Sequence, residues 1–249
     1  MKLKNELKRR LKAGEKTLGL WITIESPFAT ELLSGEGFDW FVFDLEHSPL
    51  DMYQAQTLMQ AMRGPTTPLV RVDWNDPVPV KRALDIGAYG VVIPWVNNKE
   101  DAKKAVASCK YPPEGMRGCG PRRCSLSDPE YLKTANAETL VIVQIETREA
   151  VNNVDEISSV DGVDVLFVGP TDLSTSYGYL GRAGEPDVQK AIDKVLETAK
   201  RKGVAAGIFG GGGKSTLDRY NEGFQFIALG GDTALLRRGA VEALKPFKQ

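Results

Sequence analysis

One histidine stands in the 249 residues of this chain, and that scarcity limits its chemistry. A structural zinc site takes four Cys or His ligands. His47 and three cysteines, Cys109, Cys119 and Cys124, none in a CxxC spacing, do not suggest one. The odd cysteine number argues against a disulfide framework, so reduced thiols and a cytoplasmic location are expected. Charge of one sign is also lacking. The 32 Lys+Arg and 33 Asp+Glu leave a net charge of −1, with no basic footprint for nucleic acid or an anionic membrane. No apolar run approaches the ~20 residues that cross a bilayer. The opening MKLKNELKRRLKAGEK has neither the apolar core nor the cleavage site of a signal peptide. Its leucines at 3, 7 and 11 share one face, which predicts a helix within residues 1–16 docked on the body of the protein. A membrane-surface helix is the alternative.

What is present is alternation. Short apolar runs at Thr17–Glu25, Trp40–Leu45, Pro68–Val72, Gly90–Trp95, Leu140–Glu146, Val163–Val168, Val204–Phe209 and Phe224–Leu229 read as strands. Most are continuous rather than alternating, as for parallel strands covered on both faces. Helical patterns follow them at Phe28–Leu33, Met52–Met62, Val78–Leu84, Lys99–Cys109, Ala150–Ile157, Val188–Lys202, Ser215–Asn221 and Ala234–Leu244. This inventory predicts an α/β fold, a TIM (β/α)8 barrel forming a single domain over 1–249. An open doubly wound sheet would use the same units with fewer strands. Two stretches break the rhythm: a long Pro/Gly/Arg-rich loop at 111–128, and Ser174–Asp187, read as a short helix plus a loop.

Barrel enzymes carry their chemistry at the C-terminal ends of the strands. There the sequence places Asp44, Glu46 and His47 (DLEH), Arg71 and Asp73 (LVRVD), Gln144 and Glu146 (VIVQIET), Asp172 (VGPTDL) and Asp232 (LGGD). Charged residues are rare in apolar strands unless paired or ligating, so their convergence points to a site. Gln144 and Glu146, two apart, share a strand face. Glu146 and Asp172 suit a hard divalent cation, Mg²⁺ or Mn²⁺; neutralising Arg71 is the other use for either carboxylate.

DLEH at 44–47, LVRVD at 69–73, LDIGAYGVVIPWV at 84–96, YPPEGMRG at 111–118, VQIET at 143–147 and VGPTDL at 168–173 together resemble the HpcH/HpaI aldolase family. The resemblance runs from about Leu18 to the end and implies a metal-dependent pyruvate aldolase on a TIM barrel. It implies that Glu146 and Asp172 hold the metal, with Co²⁺ and Zn²⁺ as further candidates. Arg71 would reach the keto oxygen, amides around Gly169 and Thr171 the carboxylate, and His47 would act as general base. Trp21 matches a tryptophan at the edge of the site, and Gln144 joins the substrate-binding set. The substrates implied are a small 2-oxo acid and an aldehyde. Asp85 matches an aspartate that partners the histidine. It ends a helix, at the bottom of the barrel, so it would have to come from a neighbouring subunit. That implies a homo-oligomer, a hexamer by resemblance; a plain helix C-terminal turn is the other reading. Arg122 and Arg123 could bind the carboxylate of an acidic aldehyde.

Lysine chemistry finds less support. A Schiff base needs a lysine at the site, yet no lysine lies in a predicted strand, and Lys214 follows a glycine run. That run, GIFGGGGKST, fails the Walker pattern, because Ile208 stands where the first glycine belongs. It is instead a flexible or closely approached loop, and the main departure from the family. The alternatives are a related lyase or decarboxylase, for instance on oxaloacetate, and a silent 2-oxo-acid-binding barrel.

Overall fold

The computed structural model describes residues 4–247; Leu3 and the start of the expected N-terminal helix lie outside the described residues. Eight parallel strands close in chain order: β1 (Thr17–Ile22), β2 (Trp40–Asp44), β3 (Thr67–Arg71), β4 (Gly90–Ile93), β5 (Leu140–Ile145), β6 (Val165–Val168), β7 (Ala205–Phe209) and β8 (Phe226–Gly231). β8 pairs back to β1, Thr17 opposite Phe226. The fold is a TIM (β/α)8 barrel. The helices are α1 (Glu6–Lys12), α2 (Pro27–Ser34), α3 (Met52–Ala61), α4 (Pro77–Asp85), α5 (Lys99–Cys109), α6 (Arg122–Ser127) and α7 (Tyr131–Glu138). They continue with α8 (Arg148–Asn152), α9 (Val154–Ile157), α10 (Pro170–Ser176), α11 (Pro186–Lys202), α12 (Thr216–Glu222) and α13 (Asp232–Leu244). Among the described residues no helix is long and apolar enough to cross a membrane.

Strand parity sorts the core into two layers. One set, with Phe41, Phe43, Val70, Val141, Val143 and Ile227, packs outward under the helices. The other, with Trp40, Val42, Leu69, Ile142, Phe167 and Phe226, fills the barrel. Trp40 stacks on Phe226 with ring centroids 3.8 Å apart, and its indole N–H donates to Thr17 Oγ1. From below, α1 adds Leu7 and Leu11 to this interior. Lys8 anchors it through Asp164 (2.9 Å) and the Thr139 carbonyl (2.7 Å). The docked-helix expectation therefore holds for the described part.

Several boundaries differ for local reasons. β1 stops at Ile22 because the amides of Thr23 and Ile24 donate to Asp232 rather than to a neighbouring strand. The expected helix at 150–157 is broken at Asn153, whose side chain turns to donate to the Asn97 carbonyl. The 111–128 loop is not structureless: it contains α6 and folds around Arg117, buried and 2.7 Å from Asp85. Helix α7 is an element that pattern reading missed. Its apolar face is too sparse to register, with only Tyr131 and Ala135 buried.

Gly19 faces the Trp40 ring so closely that a Cβ there would lie 2.0 Å from it. Gly19→Ala is therefore expected to destabilise the barrel by about 2 kcal/mol through overpacking. Urea titration measures this, and an unchanged midpoint would show that Trp40 can move aside.

Candidate active site

The parity that buries Trp40 and Val42 also turns Asp44 inward, one layer higher. Leu69 and Arg71 follow the same rule on β3, as do Ile142 and Gln144 on β5. The upper layer of the barrel is thus polar while the lower one is aromatic. The β2–β3 register sets Asp44 directly beside Arg71. The guanidinium grips it with two bonds, Nε to Oδ1 at 2.9 Å and Nη2 to Oδ2 at 2.6 Å. Asp44 Oδ1 also accepts the amides of Glu46 (3.0 Å) and His47 (3.3 Å), which folds the loop after β2 back over the strand end.

Above this pair opens a cavity of about 440 Å³. Trp21, Arg71 and Gln144 line one part of it, and Gly169, Thr171 and Asp172 another. His47 stands exposed at its rim, its Nε2 3.7 Å from Glu46 Oε1. Trp21 is buried between Phe167, stacked at 5.2 Å, and Phe209, edge-on at 5.2 Å. Glu146 sits just behind the lining. Its Oε1 accepts the Trp95 amide at 2.8 Å and its Oε2 accepts from Gln144 Nε2. Gly169 lets the next strand pass close by: a Cβ there would lie 3.1 Å from Glu146 Oε2. No side chain caps α10, whose first residue, Pro170, brings no N–H, so the amides of Thr171 and Asp172 begin the helix at the cavity wall.

Of the residues singled out from sequence, Asp85, Arg122 and Arg123 are elsewhere. Asp85 ends α4, at the opposite end of the barrel from His47, and pairs with Arg117. The two arginines open α6, beside the C-terminal end of α4, where Arg123 donates to the Ile86 carbonyl, so neither reaches the cavity of its own chain to bind an aldehyde carboxylate. Asp232 is also put to another use, since its carboxylate binds Thr23, Ile24 and Thr233 and ties α13 to β1. Lys214 ion-pairs with Glu222 at 2.6 Å and does not line the cavity. The sequence places Asp44 and Glu46 at a strand end without an individual role. Asp44 organises the loop and Arg71, and a signal existed in the adjacent strand-end positions of DLEH and LVRVD. Glu46 turns inward, 2.9 Å from Arg71 Nη1, though its Oε2 is not aligned to accept a hydrogen bond.

Burial is the main force on the acids here. It pushes the Glu46 carboxyl up to about 7, with Asp44, Asp172 and Asp73 adding repulsion and Arg71 opposing. Burial likewise pushes Glu146 up to about 7, reinforced by Glu46 and Asp172 and opposed by the Trp95 amide. Such a cluster of acids fits a hard divalent cation. Gln144 Oε1 is buried without a hydrogen-bond partner, so one further oxygen acceptor remains free. Among the described residues no three His, Cys, Asp or Glu side chains form a complete metal cage. Glu146 and Asp172 could thus supply only part of a coordination shell, which suits an open catalytic site more than a structural one.

The HpcH/HpaI aldolase/citrate lyase family model matches residues 17–239. The chain belongs to this family. It is 44% identical to the 4-hydroxy-2-oxo-heptane-1,7-dioate aldolase of Salmonella typhimurium, over 97% of this chain and 94% of that protein. An HpcH/HpaI aldolase/citrate lyase family protein from Burkholderia cenocepacia superposes with a TM-score of 0.93 at 38% identity, covering 99% and 100% of the two chains. The citrate synthase SbnG superposes at 0.88 with 27% identity, covering 99% and 98%.

Two outcomes follow from the electrostatics. Asp44→Ala would leave the buried guanidinium of Arg71 without its bidentate partner and is expected to cost about 3 kcal/mol of stability, read by chemical denaturation. A loss under 1 kcal/mol would mean that Glu46 takes over. The second concerns protons. A carboxyl whose pKa is raised to about 7 holds a proton below that pH, and a cation must displace it. Mn²⁺ affinity is therefore expected to fall about tenfold from pH 8 to pH 6, measured by calorimetry; a flat profile would mean that Glu146 is not a ligand.

Proposed function

We propose that this protein is a divalent-metal-dependent carbon–carbon lyase that reversibly cleaves 4-hydroxy-2-oxo acids to pyruvate and an aldehyde. The observation that carries the reading is Arg71, held by Asp44 and aimed with Gln144, Thr171 and Asp172 into one cavity. The 44% identity to a named aldolase over nearly the full chain supports the same reaction.

In this reading Glu146 and Asp172 hold the metal, Mg²⁺ or Mn²⁺. When bound, it supplies a Lewis acid for a developing oxyanion. The residues of the chain do the rest. His47, exposed at the rim, takes the C4 hydroxyl proton; imidazole is suited to this near neutral pH. The C3–C4 bond then breaks, the aldehyde leaves, and negative charge gathers on the former keto oxygen. Arg71, rigid and always charged, faces that oxygen and favours the charged state. Amides around Gly169 and Thr171 hold the substrate carboxylate at the start of α10. The aromatic wall of Trp21, Phe167 and Phe209 keeps water from the carbon skeleton.

The reading includes a homo-oligomer, a hexamer by family resemblance. Asp85 lies too far down the barrel to assist His47 of its own chain and would serve a neighbouring one. The exposed Leu236, Val241 and Leu244 of α13 support an assembled state, since clustered exposed apolar side chains mark contact surfaces. A second chemistry on the same site is a related lyase or decarboxylase reaction, for instance on oxaloacetate; the match to the HpcH/HpaI aldolase/citrate lyase family as a whole supports it, more weakly than the named aldolase supports the first.

The deciding experiment is pyruvate methyl proton exchange in D₂O, followed by NMR with Mn²⁺ or with chelator. Metal-dependent exchange is expected, and His47→Ala is expected to lower aldol cleavage by about a hundredfold or more while Mn²⁺ and pyruvate still bind. No exchange with any divalent metal, alongside turnover of oxaloacetate, would move the assignment to the second chemistry.

A further inference from the structure

The glycine run at 210–213 is closely packed, and the side chains that hold it, Arg219 and the half-buried Gln189, do not line the cavity. Arg219, on α12, is fully buried. Its Nε donates to the Gly211 carbonyl at 3.0 Å, and its Nη2 to Gln189 Oε1 at 2.7 Å and the Gly212 carbonyl at 3.3 Å. Its Nη1 meets Glu222 at 2.8 Å. Gln189, on α11, completes the clamp by donating to the carbonyls of Gly212 and Ala183, both at 2.6 Å. Two loops at the barrel mouth, 181–185 and 210–214, are thus tied through one guanidinium and one amide.

The glycines are needed for this contact. A Cβ at Gly211 would fall 1.7 Å from the Lys214 carbonyl oxygen, and one at Gly213 would fall 2.6 Å from the Gly184 backbone. Gly212 packs against Pro170 and the outer core residues Ile208 and Ile192. A Cβ there would lie 3.1 Å from Pro170 Cγ and 3.1 Å from Ile208 Cδ1. Pro170 is the first residue of α10, immediately before Thr171 and Asp172. Contact therefore runs from Arg219 through the glycine loop to the turn that carries the proposed metal and carboxylate ligands.

We propose that Arg219 and Gln189 are positioning residues: they clamp the glycine loop so that Gly212 backs Pro170 and fixes the 169–172 turn. The role rests on the aldolase reading for its consequence in catalysis, but not for its consequence in metal binding. A guanidinium reaching oxygens on Gly211, Gln189 and Glu222 at once has no equivalent in a lysine ammonium. Outer groups that orient metal ligands typically govern ten- to hundredfold in affinity.

The test is the Mn²⁺ dissociation constant of the full-length protein, read by electron paramagnetic resonance, with the KM for pyruvate in proton exchange. Arg219→Lys and Gln189→Ala are each expected to raise the Mn²⁺ Kd by about tenfold and to raise the pyruvate KM more than they lower kcat. Gly212→Ala leaves Arg219 intact but crowds Pro170, and is expected to shift Kd in the same direction. If Arg219→Lys fails to fold, the other two variants decide. Folded variants with a lower melting temperature and an unchanged Mn²⁺ Kd would overturn the positioning role and leave Arg219 a structural brace. Wild-type protein that binds Mn²⁺ without exchanging pyruvate protons would overturn the aldolase reading alone.

Discussion

The bidentate pair between Arg71 and Asp44 is the constraint around which the upper half of the barrel is arranged. Both residues end their strands, both point inward, and the β2–β3 register brings them level. An inward arginine at this depth would be costly alone, because a buried charge without a partner loses its hydration for nothing in return. Asp44 meets the two faces of that problem together. It satisfies the guanidinium fork, and its Oδ1 also gathers the amides of Glu46 and His47. The same carboxylate therefore fixes the position of the cation and the path of the loop that presents the imidazole.

Around this pair the acids outnumber the bases. Asp44, Glu46, Glu146 and Asp172 share the region with a single guanidinium, and Glu46 and Glu146 respond by rising to about 7. Burial contributes most, so the strain is a property of the dry barrel interior rather than of one unlucky contact. Two things relieve it: protons, or a cation with more than one charge. Near neutral pH protons are only partly taken up, and in the proposed reading a divalent ion would relieve the rest. The unpartnered Oε1 of Gln144 belongs to the same setting. In that reading, metal binding and deprotonation of the site would be one coupled equilibrium.

The sequence was most legible where a residue's position follows from strand parity alone. All eight strands could be read from short, mostly continuous apolar runs, and the shared face of Gln144 and Glu146 from the period of two. His47, Glu146 and Asp172 were legible from their place at strand ends. What could not be read depended on partners remote in sequence. Asp232 has the composition of a site residue, but its carboxylate is consumed by the amides of Thr23 and Ile24, some two hundred positions away. Helix α7 escaped because it buries so little that its pattern carries no period. The glycine run read equally well as a mobile or a closely approached loop. Only the buried Arg219 and the half-buried Gln189 that hold it distinguish the two.

Stability and function occupy opposite ends of this barrel. Below, Trp40 stacks on Phe226 against Gly19, α1 adds Leu7 and Leu11, and Lys8 ties that helix to Asp164 and Thr139. These contacts are dense and internally satisfied, as expected of the layer that carries the folding free energy. Above, the interior is polar, Gln144 Oε1 lacks a partner, and acids repel one another. A polar layer of that kind is tolerated because the aromatic floor fixes the strands in register independently of it. Strands held from below cannot slide or splay to relax the repulsion above, so the acids stay where a cation can meet them. The site is then preorganised by packing it does not itself contribute, and the stiffness of the lower barrel becomes part of the chemistry at its mouth.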